Sequence, residues 1–308
     1  MRQHDRFYIG GQWVAPAGAG TIEVISPHTE QVVGRVPDGT PADMDRAVAA
    51  AREAFDNGPW PRLAPAERAA VVGKLADLYA ARMGEFAELI TEEMGSPITF
   101  SQLAQAPQPQ LVLSYFAELG RTFTWEDERA GMFGPVTVRR EPVGVVAAIA
   151  PWNVPQFTAM TKLAPALVAG CAVVLKPAPQ TPLDAYLLAE LIEEAGVPPG
   201  VVNIVPADRE AGEHLVSHPG VDKVAFTGST AAGRRIGSIC GSQLTRNWVP
   251  ARGARQQTLA GEVGEGLGWR QVVGFGRRSG GLRGGDGDGA SRVELLQLPQ
   301  QVGLALFG

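Results

Sequence analysis

From Gly144 onward the chain repeats one unit four times, a short apolar strand followed by a helix, and this narrows the possible fold more than any other feature. The strands read GVVAAIA (144–150), AVVLKP (172–177), VVNIVP (201–206) and VDKVAF (221–226). Helices are predicted over about 155–168, 182–195, 210–217 and 230–240. Strands so rich in Val, Ile and Ala are suited to burial on both faces, and alternation with helices predicts a parallel α/β sheet. The turn chemistry agrees: Thr181-Pro182 offers a cap and a first-turn proline ahead of Asp184, and Gly196 closes the same helix.

The first 143 residues follow other patterns. Residues 7–36 alternate short β-prone runs with Gly and Pro turns, which predicts a strand-rich opening segment. Thr40 is placed to cap a helix that begins at Pro41, with Asp43 in its first turn and Met44, Ala47, Val48, Ala51 and Phe55 at helical spacing. Further amphipathic helices start at Pro65 and run from Glu85 to Met94. Residues 123–143 read as two strands around a turn at Gly131–Pro135, forming either a solvated hairpin or an arm for association between subunits.

Composition excludes several classes. A net charge of −5 offers no footprint for nucleic acid or an anionic membrane. A mean hydropathy of −0.01 argues against a disordered polar chain. No run reaches the length of a membrane span, and the N-terminus lacks a signal-peptide core. Two cysteines and four histidines form no disulfide framework or metal-ligand cluster, so no metal is expected and the cytoplasm is the expected compartment.

In an open parallel sheet, ligands gather at the carboxyl ends of the strands. Neither G-x-G-x-x-G nor a P-loop comes after the first strand. Its end carries Pro151-Trp152-Asn153 instead, where Asn153 either donates to a developing oxyanion or caps the next helix. The second strand ends in Lys176, one of four lysines, which is either a ligand for a ribose or phosphate or a snorkelling surface residue. The fourth runs into Phe226-Thr227-Gly228-Ser229, a small-residue turn whose following helix can offer N–H groups to an anion.

Taken in order, FYIGGQWV, APWN (150–153), VVLKPAPQTP (173–182) and VDKVAFTGSTAAGR (221–234) resemble the aldehyde dehydrogenase superfamily over residues 7 to about 246. The resemblance implies a doubly wound, Rossmann-like nucleotide-binding domain with N-terminal helices and a protruding oligomerisation hairpin. It implies NAD or NADP as cofactor and an aldehyde as substrate, which a cysteine thiolate attacks. Hydride leaves to the nicotinamide, and a glutamate-activated water releases the acid. By the same resemblance Asn153 helps hold the oxyanion, and Ile149, Ala150, Pro151 and Trp152 line the cofactor through their backbone. Lys176 contacts the ribose, Ala178 and Pro179 flank it, and Gly212 sits beside the adenine. Gly228 and Ser229 form the turn over which the pyrophosphate lies, with Phe226 and Thr227 also in the cofactor site. Pro179 stands where NAD-preferring relatives often have a ribose-binding glutamate, which leaves NAD versus NADP open.

The pattern breaks near Arg246. Neither the family's general-base glutamate motif nor its nucleophile segment is present beyond it, and Glu262 lies in a different context. Residues 247–308 hold no cysteine and no lysine, while eight arginines occur from Arg246 onward among many glycines, as in a GC-rich gene read out of frame. RNA-binding and calcium-loop readings of this stretch lack the required repeats and ligand spacing. Cys171 and Cys240 read as structural thiols. The expected organisation is therefore residues 1–122 as N-terminal strands and helices, 123–143 as the hairpin, 144–246 as the cofactor-binding core and 247–308 as an irregular tail, with the catalytic domain missing. The chain is expected to be inactive alone. The alternative is a non-catalytic nucleotide-binding or subunit-association fragment, possible as a homo-oligomer through 123–143.

Overall fold

A computed structural model describes residues 1–243, 245–248 and 269–275. The strands are β1 (Arg2–Gln3), β2 (Phe7–Ile9), β3 (Gln12–Val14), β4 (Thr21–Ile25), β5 (Val32–Pro37), β6 (Glu126–Gly131), β7 (Gly134–Pro142), β8 (Val145–Ile149), β9 (Ala172–Lys176), β10 (Val202–Ile204), β11 (Lys223–Phe226), β12 (Arg246–Trp248) and β13 (Trp269–Phe275). The helices are α1 (Pro41–Asp56), α2 (Pro65–Ala81), α3 (Met83–Met94), α4 (Ile98–Phe100), α5 (Pro107–Thr122), α6 (Pro155–Ala169), α7 (Leu183–Ala195), α8 (Arg209–Ser217) and α9 (Thr230–Gln243).

The central sheet has the order β12-β11-β8-β9-β10-β2-β3, with parallel pairing from β12 to β10. Its faces separate residue by residue because side chains alternate along a strand. Val146, Ala148, Val173, Leu175, Val202 and Ile204 enter one core with α2, α3, α5, α6 and α7. Val145, Ala147, Ile149, Val174, Val224 and Phe226 enter the other, where α1 and α8 pack. Helices on both faces of the parallel sheet predicted from the repeats make a doubly wound architecture, as the family resemblance implies.

The strand-rich opening segment closes one edge of this sheet. β2 and β3 form a hairpin across Gly10-Gly11, both at positive φ (65° and 75°), as a tight hairpin turn requires. Tyr8 then pairs antiparallel with Ile204. At the head of α1, Thr40 and Asp43 form the predicted capping box. The Asp43 carboxylate is fully buried and accepts from Thr40 N–H at 2.9 Å, Thr40 Oγ1 at 2.7 Å and Ala17 N–H at 2.9 Å, with Arg46 beside it.

Three local expectations change. Thr181 does not cap α7; Pro182 stands at its head, and the Leu183 and Asp184 amides donate to Glu93 at 2.7 and 3.1 Å. Asn153 does not cap α6, whose flanking residue is Val154. Residues 98–122, for which the sequence patterns suggested no element, form α4, a wider turn closed from Ala106 N–H to Ser101 O, and α5. Pro107 and Pro109 hide the start of α5 from pattern reading, although a first-turn proline is compatible with a helix.

Residues 123–143 are the predicted hairpin, with β6 and β7 joined across Met132 and Phe133, 88% and 90% exposed. β13 pairs antiparallel with the other edge of β7, so one strand lies within the stretch expected to be irregular. WRQVVGF is rich in strand-forming residues, and it pairs with an open edge. Glu262 and the Gly/Arg-rich runs after 276 lie outside the described residues.

Replacing Asp43 with alanine leaves Thr40 and Ala17 donors without their acceptor. It should lower unfolding free energy by about 2–4 kcal/mol, read as a shift in the urea midpoint, and Asp43→Asn should cost less.

Candidate cofactor site at the strand ends

The strand order reverses between β8 and β11, because β9 and β10 extend from one side of β8 while β11 and β12 extend from the other. A crevice opens at the carboxyl ends of such a pair. Register brings the candidate residues there into one row: Ile149 lies opposite Lys176 on one side and Phe226 on the other. Two backbone bonds continue the row, from Ala150 N–H to Lys176 O and from Thr227 N–H to Ile149 O, both at 3.2 Å.

Each segment then contributes a different group. Pro151-Trp152-Asn153 leads out of β8, with Trp152 and Asn153 exposed and Thr181 Oγ1 donating to Trp152 O at 3.4 Å. The Asn153 carbonyl accepts from Gln105 Nε2 at 3.3 Å, and among the described residues its side chain has no hydrogen bond. Pro155 opens α6 and supplies no N–H, so this helix is a poorer anion cradle than α9. At the head of α9, Ser229 accepts on Oγ from Ala232 N–H at 3.3 Å, and Thr230 and Ala231 are exposed. A Cβ at Gly228 would lie 2.5 Å from the tip of the Phe226 ring, so a side chain there would have to displace that ring.

Lys176 is not a surface lysine. It is 6% exposed, its Nζ donates to Pro177 O at 3.3 Å, and its aliphatic chain lies against Gly212, where an added Cβ would meet Cε at 3.0 Å. Burial pushes its ammonium down to about 8, opposed by the carboxylates of Asp208 and Asp38. Ala178 is buried and Pro179 half-buried beyond it.

A second buried lysine escaped the sequence patterns. Lys162, two turns into α6, donates from Nζ to Thr227 Oγ1 at 2.7 Å and to Thr158 O at 3.0 Å. Burial pushes it down to about 7. It ties α6 to the β11 turn across 65 residues of sequence, and its only sequence signal was a lysine within an otherwise apolar helix. A separate open cleft of about 520 Å³ shares Trp152 and Pro179 with this site but is otherwise lined by β4, Pro27, Glu93, Met94, Gln180 and Thr181.

The donors at the row are cationic or amide groups, with neither thiol near: Cys171 is buried at the opposite end of β9, and burial pushes it up to about 11. Such a set fits a ribose and a diphosphate. Comparisons with known proteins agree with this geometry, since the profile of the Aldehyde dehydrogenase family matches residues 13–255. This chain belongs to that family. It is 47% identical over 242 residues to geranial dehydrogenase of Castellaniella defragrans, covering 78% of this chain and 51% of that protein. It is 40% identical over 251 residues to the NADP/NAD-dependent aldehyde dehydrogenase PuuC of Escherichia coli, covering 81% of this chain and 51% of that protein. Its fold superposes on a Mycobacterium tuberculosis aldehyde dehydrogenase complexed with NAD+ with a TM-score of 0.80 and 45% identity, over 81% of this chain and 52% of that one. The chain thus spans about half the length of the relatives it matches.

With four lysines in the sequence, their ε-carbon NMR signals can be followed individually. Lys162 should titrate near 7 and Lys176 near 8, with each signal assigned by its loss in Lys162→Met or Lys176→Met.

Proposed function

We propose that this chain is the nicotinamide-cofactor-binding half of an aldehyde-oxidising dehydrogenase, taking NAD+ or NADP+ at the ends of β8, β9 and β11. The observation that carries this reading is the row Lys176–Ile149–Phe226 at the point where strand order reverses. The backbone of Ile149 to Trp152 would line the cofactor, with Ala178 and Pro179 beside its adenosine portion. Lys176 and Gly212 would border the adenosine ribose and adenine, while Phe226 to Ser229 and the α9 amides would hold the diphosphate. The nicotinamide supplies a hydride acceptor. Asn153, exposed two residues past the sheet, is suited to donate its amide N–H to an oxyanion.

In this reading the polypeptide by itself binds cofactor without turning over aldehyde. Its support is chemical: residues 247–308 carry no cysteine, and burial pushes both Cys171 and Cys240 upward, away from the thiolate a nucleophile needs. The lysine-free, glycine- and arginine-rich composition after Arg246 supports an out-of-frame origin for that stretch. Resequencing codons 235–310 should reveal another frame with a Leu-Glu-Leu-Gly-Gly-Lys run and a later cysteine; no such frame would make the tail genuine. Cys171 and Cys240 are not joined in a disulfide, which suits a cytoplasmic protein.

A second reading, association between copies through the hairpin, draws on the exposed Met132 and Phe133 at its tip.

Titration with NAD+ and NADP+ should quench tryptophan fluorescence saturably, and Gly212→Ala, which pushes on Lys176, should weaken binding about tenfold. Mixing protein, NAD+ and an aldehyde should produce no NADH absorbance. Thiol-sensitive turnover would refute the inactive reading, and absence of binding by either cofactor would refute the cofactor reading.

A further inference from the structure

Asp38 lies just after β5, outside the repeats that build the cofactor core, yet backbone hydrogen bonds hold its segment beside the strand next to β9. Gly39 N–H donates to Pro206 O at 2.9 Å, and Val205 N–H donates to Leu175 O at 3.0 Å. The approach is close, since a Cβ at Gly39 would lie 2.6 Å from Val205 Cγ1 and 2.8 Å from Pro206 O. Asp38 therefore sits one strand away from the end of β9, where Lys176 is enclosed by Gly212 of α8.

The charges around Lys176 are unevenly committed. Asp208 heads α8 and already accepts on Oδ1 from the Glu210 and Ala211 amides at 2.9 and 3.3 Å. The Asp208 backbone N–H donates to the Asp38 carboxyl, and burial, followed by the Asp208 charge, pushes the pKa of that carboxyl up. Its buried Oδ1 has no hydrogen-bond partner among the described residues. Both carboxylates act on Lys176 and favour its charged form. On α1, which packs against β9, Asp43 and Arg46 pair with each other. Arg209 and Glu210 at the start of α8 are exposed and carry opposite charges. A buried ammonium with one long contact, to Pro177 O, depends on nearby negative charge to remain protonated.

We propose that Asp38 is a positioning residue for cofactor binding, acting through Lys176 to keep an ammonium rather than a neutral amine at the adenosine-ribose end of the crevice. The proposal rests on the cofactor reading above for its effect on binding, but the coupling of Asp38 to Lys176 is a property of the free protein. An ammonium can donate three hydrogen bonds to ribose hydroxyls, whereas a neutral amine is a weaker donor. Lys176 loses its proton as pH rises through about 8. Removing the Asp38 charge makes that loss occur at lower pH.

Two measurements test this on the full chain. In the free protein, the Lys176 ε-carbon titration should move down by about half a pH unit or more in Asp38→Asn, and Asp38→Glu should restore most of it. In NAD+ titrations from pH 6.5 to 9, wild-type affinity should fall with a midpoint near 8. Asp38→Asn should move that midpoint in parallel and bind about twofold more weakly at pH 8, while Lys176→Met should show no such step. An unchanged Lys176 titration in a folded Asp38→Asn variant overturns the proposal. A shifted titration with an unshifted NAD+ profile overturns its role in binding. If wild-type protein binds no NAD+ at any pH, the cofactor reading fails, and with it the binding role, while the free-protein titration still decides the coupling.

Discussion

The parallel sheet is buried on both faces, and that constraint governs where chemistry can occur in this molecule. Val146 and Ala148 face one core while Val145 and Ala147 face the other. The middle of each strand is consequently almost entirely apolar, the fully buried Asn203 in β10 being held by Gly10 N–H and Gly200 O. Polar groups collect where the strands stop, and the register of Ile149 against Lys176 and Phe226 brings three distant segments together there. Site geometry is thus a consequence of strand pairing rather than of any one loop.

The same constraint explains what could be read from the sequence. Runs such as VVAAI and AVVLK are legible as buried strands because their apolar character has no interruption, and the candidate residues sit directly at their ends. The head of α1 is legible because Thr40 and Asp43 are three residues apart and cap locally. The head of α7 is not, because its cap comes from Glu93, ninety residues earlier in the chain. Lys162 fails for the same reason, since it acquires its hydrogen bond from Thr227 in another element. β13 is a different failure, since short strand-forming runs among glycines form an element only when an edge such as β7 is available.

Glu93 also shows the cost of such long-range caps. Its carboxyl group is fully enclosed with Asp184, and burial followed by the proximity of Asp184 pushes its pKa well upward. Burial likewise pushes Asp184 up to about 7. The Leu183 and Asp184 amides donate to the Glu93 carboxyl, while Asp184 Oδ2 is buried without a hydrogen-bond partner among the described residues. The α3–α7 junction thereby holds the 177–182 loop, which carries Ala178 and Pro179 past the end of β9.

The absence of a glycine fingerprint after β8 has a structural counterpart at the heads of the helices. A dinucleotide-binding turn places its diphosphate against the helix that comes after the first strand, where closely spaced glycines permit backbone approach. Here that helix begins with Pro155, preceded by bulky Trp152 and Val154. The open, small-residue helix head occurs at Gly228-Ser229-Thr230 after β11. Since β8 and β11 are neighbours in the sheet, moving the anion-binding turn from one to the other keeps it at the same crevice. It also leaves the mouth of β8 free to present Asn153, so that under the proposed function the two strands flanking the reversal would divide the work between cofactor and substrate chemistry instead of competing for one turn.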